Sequence, residues 1–285
     1  SLNGGLAAVA VAEHISDGKV YAYVASASSF HKGQMQVIDV TNPATPTVAR
    51  LFKIATSTVP LGTSGQGIGN SITYKNGYVY LGLTKAAAGG KEFHIIDVHN
   101  PLAPIYVGGY AVGNGVNHIS VRGTYAYISS PNTQELLVLD ISNPASPTLA
   151  GGYNAPNGTG NGQATVLLGD NLYLARENAG YEISILDNRI PTSTALLGSY
   201  DAGSAASESV YGLVIRNNLL FALTNGTFSV INVASSTMPV LWSTPISLPG
   251  AATAKGSSLD CEGNVLYAGT HGDTTPGSIF VISAP

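Results

Sequence analysis

The stretch LLVLDISNPASPTLAGGY at residues 136–153 decides the fold, because the chain repeats it. Two other stretches have nearly the same pattern, namely MQVIDVTNPATPTVARLF at 35–52 and FHIIDVHNPLAPIYVGGY at 93–110. Each runs from an apolar segment through an Asp and an Asn-Pro pair into a second segment. Self-similarity of this kind is the signature of a repeat architecture.

The spacing of the repeat identifies the architecture. An aromatic motif, YAYVA in its first copy (21–25), occurs six times and alternates with six copies of an apolar motif, QVIDV in its first copy (36–40). The central residues of the aromatic motif lie 57, 47, 46, 48 and 46 residues apart: Tyr23, Tyr80, Tyr127, Tyr173, Phe221 and Tyr267. A period of about 40–50 residues with several short strands per unit indicates propeller blades.

We therefore predict an all-β fold, a six-bladed β-propeller of four-stranded antiparallel blades, with a seven-bladed or truncated ring as the alternative. In each blade, strand A precedes the aromatic strand B, and the apolar strand C precedes strand D. Stacking on neighbouring blades buries both faces of such a sheet. The prediction is a single domain at 1–285, with blades at 13–54, 69–112, 116–153, 162–200, 209–248 and 254–285.

The ends of the chain suggest how the ring closes. The last unit stops after its strand C, whereas SLNGGLAAVAVA (1–12) precedes the first unit when 13–23 is aligned with 117–127. We expect residues 6–11 to form the outer strand of the last blade, which removes an exposed sheet edge. A truncated C-terminus is the alternative.

Four aspartates end their C strands: Asp39, Asp97, Asp140 and Asp187. An Asp at such a position accepts hydrogen bonds from backbone N–H groups of the following turn. The Pro four residues later ends the strand pairing. A metal role is the alternative, but single carboxylates spread one per blade do not converge on an ion.

The segments QVIDVTNP, HIIDVHNP and LVLDISNP, with YAYVA upstream, resemble the LVIVD repeat of bacterial surface and secreted β-propellers. The resemblance is strongest in the first three units, and in the last two units Asn232 and Ser283 replace the Asp. It implies a propeller that is often exported, and it implies no shared catalytic residues.

Composition narrows the classes of function. Only 10% of the 285 residues are charged, 44% are hydrophobic, and the net charge is −4. The absence of a Lys/Arg cluster argues against a nucleic-acid partner, and no apolar run is long enough for a membrane span. The lone Cys261 excludes an intrachain disulfide. No signal peptide is present, so we expect a processed or excised form, located outside the cell or on its surface.

Candidate binding residues lie at the start of each strand A, which in a propeller borders the mouth of the central channel. The residues so aligned are Glu13, His14, Asn70, Asn117, His118, Gln163, Tyr211 and Ser257. Converging polar groups bind a polar ligand, an ion or trapped water, or else they satisfy one another. Glu13 with the two histidines also suggests a transition-metal site, with ordinary hydrogen-bonded histidines as the alternative. We predict no cofactor and leave an ion in the channel open.

The D–A and B–C loops share one end of the blades, which we call the loop-rich face, and include the longest Gly-rich segments. Loops on a rigid scaffold often carry function, although Gly and small polar residues also simply permit turns. The loop side chains best suited to anchor a partner are Phe30, His31, Arg176, Tyr181 and His271.

These observations favour a non-enzymatic, exported binding or scaffold module that meets a protein or glycan partner through its loop-rich face, with self-assembly as a further option. One alternative is a hydrolase or lyase with a polar site at the channel mouth, which requires acid and base groups with shifted pKa values. Another is a subunit or excised domain of a larger surface assembly.

Overall fold

The computed structural model describes residues 6–14, 16–26, 33–54, 67–86, 89–131, 134–156, 160–177, 180–202, 209–248, 254–272 and 279–283. Within these ranges the chain forms 24 β-strands and no helix. No helix long and apolar enough to cross a membrane occurs among them. The strands form six antiparallel sheets. The fold is the predicted all-β propeller with six blades.

The chain forms two compact units, one of Ser1–Asn132 with Leu137–Ala150 and one of Thr133–Leu136 with Gly151–Pro285. The first blade contains β1 (Leu6–His14), β2 (Lys19–Ser26), β3 (Met35–Asp39) and β4 (Thr47–Phe52). The second contains β5 (Gly69–Lys75), β6 (Tyr78–Leu83), β7 (Phe93–Asp97) and β8 (Ile105–Tyr110). The third contains β9 (His118–Arg122), β10 (Tyr125–Ser129), β11 (Leu136–Asp140) and β12 (Thr148–Tyr153).

The remaining three blades belong to the second unit. The fourth blade contains β13 (Asn161–Leu168), β14 (Asn171–Glu177), β15 (Ile183–Asp187) and β16 (Ala195–Tyr200). The fifth contains β17 (Gly212–Arg216), β18 (Leu219–Leu223), β19 (Thr227–Asn232), β20 (Val240–Leu241) and β21 (Ile246–Ser247). The sixth contains β22 (Ala254–Glu262), β23 (Val265–Gly272) and β24 (Ile279–Ser283). In the fifth blade β20 and β21 both pair with β19, so strand D is split in two.

The hydrophobic cores lie between consecutive blades of a unit. Tyr21 of the first blade and Leu81 of the second share one buried cluster, and Tyr173 of the fourth blade shares another with Leu220 of the fifth. Strand C of the first three blades is buried up to its final Asp, whereas strand D is mostly exposed or half-buried. Removal of apolar surface from water therefore favours stacking of the inner strands, since a single blade leaves them exposed.

The first hairpin corrects the predicted ring closure. β1 pairs with β2 from Ala8 opposite Ala25 to His14 opposite Lys19. Residues 6–11 therefore belong to the inner strand of the first blade and not to the outer strand of the last. In the described part of the chain, the last blade has three strands, in the order β22-β23-β24.

The error comes from the length of one turn. In the third blade Arg122 pairs with Tyr125, so strands A and B are joined by a tight turn. In the first blade the equivalent pair is Ala12 with Tyr21, and pairing continues beyond it to His14. Strand A of the first blade therefore extends back toward the N-terminus, and matching the two segments by equal length misplaces it.

The aspartates at the ends of the C strands bind their own turns, as predicted. In each of the four blades a side-chain oxygen accepts a hydrogen bond from the backbone N–H two residues later, at 2.8–3.0 Å. Asn232 makes the same bond to the N–H of Ala234 in the fifth blade, at 2.9 Å. Among the described residues, no group of three or more His, Cys, Asp or Glu is placed to hold a metal ion.

A buried polar residue immediately before strand C is a repeated feature that the motif alignment did not single out. It is present in the first four blades as Gln34, Glu92, Glu135 and Glu182. Three of them accept the backbone N–H of the residue twenty positions later: Gln34 from Ile54 at 3.0 Å, Glu92 from Val112 at 2.8 Å and Glu182 from Ala202 at 2.9 Å. This bond fastens the chain that leaves strand D to the start of strand C.

We predict that Asp140→Ala lowers the melting temperature by about 2–4 °C, because a turn hydrogen bond worth about 1 kcal/mol is lost. Asp140→Asn should lower it by less than half as much, since the Asn232 side chain makes the same bond in the fifth blade. Thermal unfolding followed by circular dichroism measures both shifts. Equal shifts for the two variants would contradict this account of the turn.

Acid should remove part of the stabilisation at the first of these turns. Hydrogen bonds from Thr41 and then Lys19 lower the pKa of Asp39 to about 2. A carboxyl group whose pKa is lower in the folded chain stabilises it above the unfolded pKa of about 4, and this contribution disappears as the pH falls toward 2. The urea midpoint should therefore fall between pH 4 and 2, and Asp39→Asn should flatten that part of the profile. A variant profile parallel to that of the unsubstituted protein would rule out this contribution.

Glu92 should be among the most sensitive positions of the second blade. Its carboxylate accepts the N–H groups of Ala86, Val112 and Gly113 at 3.2, 2.8 and 3.1 Å. Glu92→Ala leaves these donors without their acceptor, and we expect a loss of about 3 kcal/mol or more in the free energy of unfolding. Glu92→Gln should cost about 1 kcal/mol, because Gln34 occupies the same position in the first blade. Urea titrations measure both losses, and an equal loss for the two variants would be inconsistent with this role.

Candidate functional site

The candidate residues at the start of strand A occupy a recurrent β-bulge. In the second, fourth and sixth blades the A–B pairing slips by one residue, and the extra residues are Asn70, Gln163 and Ser257. A bulge leaves one residue unpaired and redirects its side chain, and bulges are common next to functional sites. In these three blades the backbone of strand A therefore places an extra residue at the same point of the A–B hairpin.

In the third and fifth blades, the residue immediately before strand A occupies the position equivalent to the bulged residue. Asn117 donates its backbone N–H to the carbonyl of Ser129, and Tyr211 donates to that of Leu223, both at 2.9 Å. Ser129 is also the register partner of His118, so two residues of strand A face one residue of strand B. Five of the six positions predicted from sequence are therefore structurally equivalent.

Glu13 and His14 do not belong to this set. They lie at the end of β1, opposite Val20 and Lys19, and the bulged residue of the first blade is Ala7. The longer first hairpin is the reason for the misplacement. The prediction that the first residue of the pair is polar in all six blades is therefore wrong in the first blade.

In the first unit, the polar side chains of the inner strands bond to the next inner strand. Asn70 Nδ2 donates to the carbonyl of Val116 at 2.8 Å. Farther along β5, Thr73 Oγ1 donates to the carbonyl of Ile119 at 2.7 Å and Lys75 Nζ to that of Val121 at 2.8 Å. These side chains satisfy carbonyl groups in β9 and just before it, so the fold already uses much of their hydrogen-bonding capacity.

Burial disfavours the charged form of both candidate histidines, which lie at opposite ends of their inner strands. His14 Nε2 lies 2.7 Å from Tyr23 Oη, and the ring of Tyr23 stacks on that of Tyr74 with centroids 5.6 Å apart. Burial lowers the pKa of His14, and burial lowers the pKa of His118 to about 4. His14 ends β1 whereas His118 begins β9, so the proposed metal pair is not supported.

In the second unit, a carboxylate joins the bulge of the fourth blade. Glu177, at the end of β14, is the register partner of Asn161. Glu177 Oε2 accepts hydrogen bonds from Asn161 Nδ2 at 3.2 Å and from Gln163 Nε2 at 2.8 Å. Sequence analysis identified Gln163 but missed Asn161 and Glu177. The strand pairing of the fourth hairpin could have identified both residues, because it places the first residues of strand A beside the last residues of strand B.

The start of the fifth blade adjoins this group. Ser209 forms an isolated antiparallel bridge with Glu177, and Val210 donates its N–H to the carbonyl of Arg176 at 3.1 Å. Tyr211 follows directly, with a half-buried side chain. We call Asn161, Gln163, Glu177 and Tyr211 the blade-four cluster.

Arg176 has a structural role and is not an accessible anchor. Only 5% of it is exposed, and its Nε and Nη2 donate to the two carboxylate oxygens of Glu135, each at 2.8 Å. Its Nη1 donates to the carbonyl of Tyr181 at 2.9 Å. A buried pair of this kind costs several kcal/mol to break, because an unpaired charge remains.

The other predicted loop anchors have different outcomes. Tyr181 is 52% exposed, so its side chain is accessible as predicted. Phe30 and His31 lie outside the described residues, and those two predictions stay open. His271 and Ser257 have described backbones in β23 and β22, but their side chains lie outside the description.

Comparisons with known proteins are consistent with the repeat and the fold. A model of the LVIVD repeat matches residues 15–52, 66–112 and 114–155, which are the first three blades. The search of curated proteins found no match. Several hundred solved chains share the fold.

Three solved structures illustrate the range of propellers that resemble this chain. A putative 6-phosphogluconolactonase from Bacteroides fragilis is 9% identical with a TM-score of 0.71, over 95% of this chain and 79% of that one. The periplasmic gluconolactonase of Pseudomonas aeruginosa is 10% identical with a TM-score of 0.71, over 92% and 78%. Raptor from Chaetomium thermophilum is 11% identical with a TM-score of 0.65, over 98% of this chain but 24% of its own.

Such low identities establish a common fold and nothing about activity. The repeat match and the blade structure point to the same group of proteins. The chain contains LVIVD repeats in its first three blades, and its six-bladed fold is consistent with the LVIVD propeller family.

Proposed function

We propose that this protein is a non-enzymatic binding module, exported to the cell surface or beyond, that holds its partner at the loop-rich face. The observation that carries the proposal is the recurrent bulge of strand A. It places Asn70 and Gln163 at the same end of their inner strands, with Asn117 and Tyr211 at equivalent positions, on a backbone fixed by buried C strands. Polar groups held on rigid elements are well suited to binding.

Two of the groups at this face that acid–base catalysis could use are engaged in the fold or disfavoured by burial. Arg176 is paired with Glu135, and burial lowers the pKa of His118 to about 4. A buried imidazole with so low a pKa is poorly matched to proton exchange at neutral pH. These contacts favour binding over hydrolysis or elimination as the function of this face.

Export is proposed from composition and from the family. Only 10% of the residues are charged, and the resemblance to LVIVD propellers implies surface or secreted proteins. A protein or glycan of the cell envelope is then the expected partner, and an assembly of copies is a further option. The gluconolactonases named above share only the fold, so their activity provides no argument for this chain.

A pair of matched variants tests the proposal. The double variant Gln163→Ala/Tyr211→Ala alters the loop-rich face, and Arg189→Ala alters an exposed turn at the other end of the fourth blade. We expect the unsubstituted protein to co-sediment with the cell-envelope fraction of its source organism. The double variant should bind about tenfold more weakly, a loss of about 1.4 kcal/mol, and Arg189→Ala should bind normally.

The same preparations should be assayed for hydrolysis of glucono-δ-lactone. We expect no rate above the uncatalysed background. Lactone turnover that the double variant abolishes would overturn the non-enzymatic assignment. Absence of envelope binding by the unsubstituted protein, or equal binding by the two variants, would overturn the assignment of the loop-rich face.

A further inference from the structure

We infer that the blade-four cluster is a binding site for the hydroxyl groups of a neutral carbohydrate. The inference rests on the proposed function and specifies the class of partner. It starts from the arrangement of one carboxylate and two amides. Both amides donate to the same oxygen, Glu177 Oε2, at 3.2 Å and 2.8 Å.

The second carboxylate oxygen, Glu177 Oε1, accepts no hydrogen bond within the part of the chain that the structure describes. Two bonds from amides hold the carboxylate plane in place without neutralising its charge. A charge-assisted hydrogen bond to such an oxygen is about twice as strong as one between neutral groups. Glu177 therefore offers a fixed, strong acceptor at the end of β14.

The amides add both kinds of hydrogen-bonding group to the site. A primary amide has two N–H donors and one carbonyl oxygen. Asn161 uses one donor on Glu177, so its amide oxygen, on the other side of the amide carbon, is directed away from that carboxylate. Fixed acceptors next to amide donors match neighbouring hydroxyl groups, since each hydroxyl donates once and accepts as well.

Other ligand classes fit this set less well. A phosphate or carboxylate ligand would be repelled by Glu177, because the neighbouring Arg176 is already paired with Glu135. A calcium ion takes six to eight oxygen ligands, usually including several carboxylates, and Glu177 is the only carboxylate of the cluster. A polyhydroxylated, uncharged ligand is compatible with both the charge and the mixture of donors and acceptors.

The surroundings favour such a ligand as well. Asn161, Gln163 and Glu177 are half-buried, so their hydrogen bonds are less weakened by competing water than those of exposed side chains. Tyr211, two residues beyond the Ser209 bridge to Glu177, adds an aromatic ring on the adjoining blade. An aromatic face with a polar edge suits a ligand whose surface is part C–H and part hydroxyl.

Ligand-observed NMR tests the inference directly. Saturation-transfer spectra would be recorded with the full chain and, one at a time, glucose, galactose, mannose, N-acetylglucosamine and cellobiose. We expect at least one sugar to bind, and Glu177→Gln to weaken that binding by about tenfold through loss of the charged acceptor. Glu262→Gln is the matched control, because Glu262 is exposed at the far end of an inner strand, and it should leave binding unchanged.

A second variant keeps the test valid if Glu177→Gln fails to fold. Gln163→Ala removes one bond to the carboxylate and should weaken sugar binding by about threefold or more. Failure of every sugar to bind, equal binding by Glu177→Gln and Glu262→Gln, or calorimetric binding of Ca²⁺ in place of sugar would overturn the inference. If envelope binding then persisted, the proposed function would still stand with a different partner, and if it too were absent, both would fail.

Discussion

The whole structure depends on one constraint, which is that a four-stranded blade has two apolar faces and cannot leave either of them in water. Strand C is buried on both sides in the first four blades, and residues of consecutive blades share buried clusters. At roughly 25 cal/mol per Å² of apolar surface, this burial is the main favourable term in folding. Strand C, which is the most buried, is accordingly five or six residues long in all six blades.

Polar groups are organised around this packing. Among the described residues, each inner strand belongs to the sheet of its own blade, so the polar groups between neighbouring inner strands need other partners. In the first unit Asn70, Thr73 and Lys75 supply them by donating to carbonyls in β9 or just before it. In the second unit Asn161 and Gln163 donate instead to Glu177, which is a side chain of their own blade. The candidate site therefore lies where polar side chains form hydrogen bonds within one blade and not between blades.

The low charge of the chain has a related consequence. With 12 basic and 16 acidic residues in 285, charged groups are few, and their contacts differ. Arg176 and Glu135 form a buried pair, whereas Glu177 accepts its hydrogen bonds from neutral amides. Burial lowers the pKa of His14 and of His118. The few charged side chains at the loop-rich face are therefore the positions to mutate.

Sequence alone was sufficient for the fold class and much of the local structure. The period of the aromatic motif predicted six blades, and the Asp at the end of strand C predicted a turn bond that Asp140 makes to Ser142 at 2.8 Å. Both depend on contacts close in sequence, which repeat from blade to blade. The alternation of motifs likewise located Asn70 and Gln163 at the start of strand A, where the structure has a bulge.

Only the tertiary structure decided the rest. Residues 6–11 joined the first blade because the length of the first hairpin, which motif spacing does not reveal, set the register of β1. The sequence predicted that Arg176 is a loop anchor, but packing places its side chain against Glu135, 41 residues away in the chain. The partnership of Glu177 with Gln163 likewise required the register of the fourth hairpin. The period of a repeat shows which residues recur in the sequence. Strand register and packing determine which side chains are in contact, and the candidate site consists of such contacts.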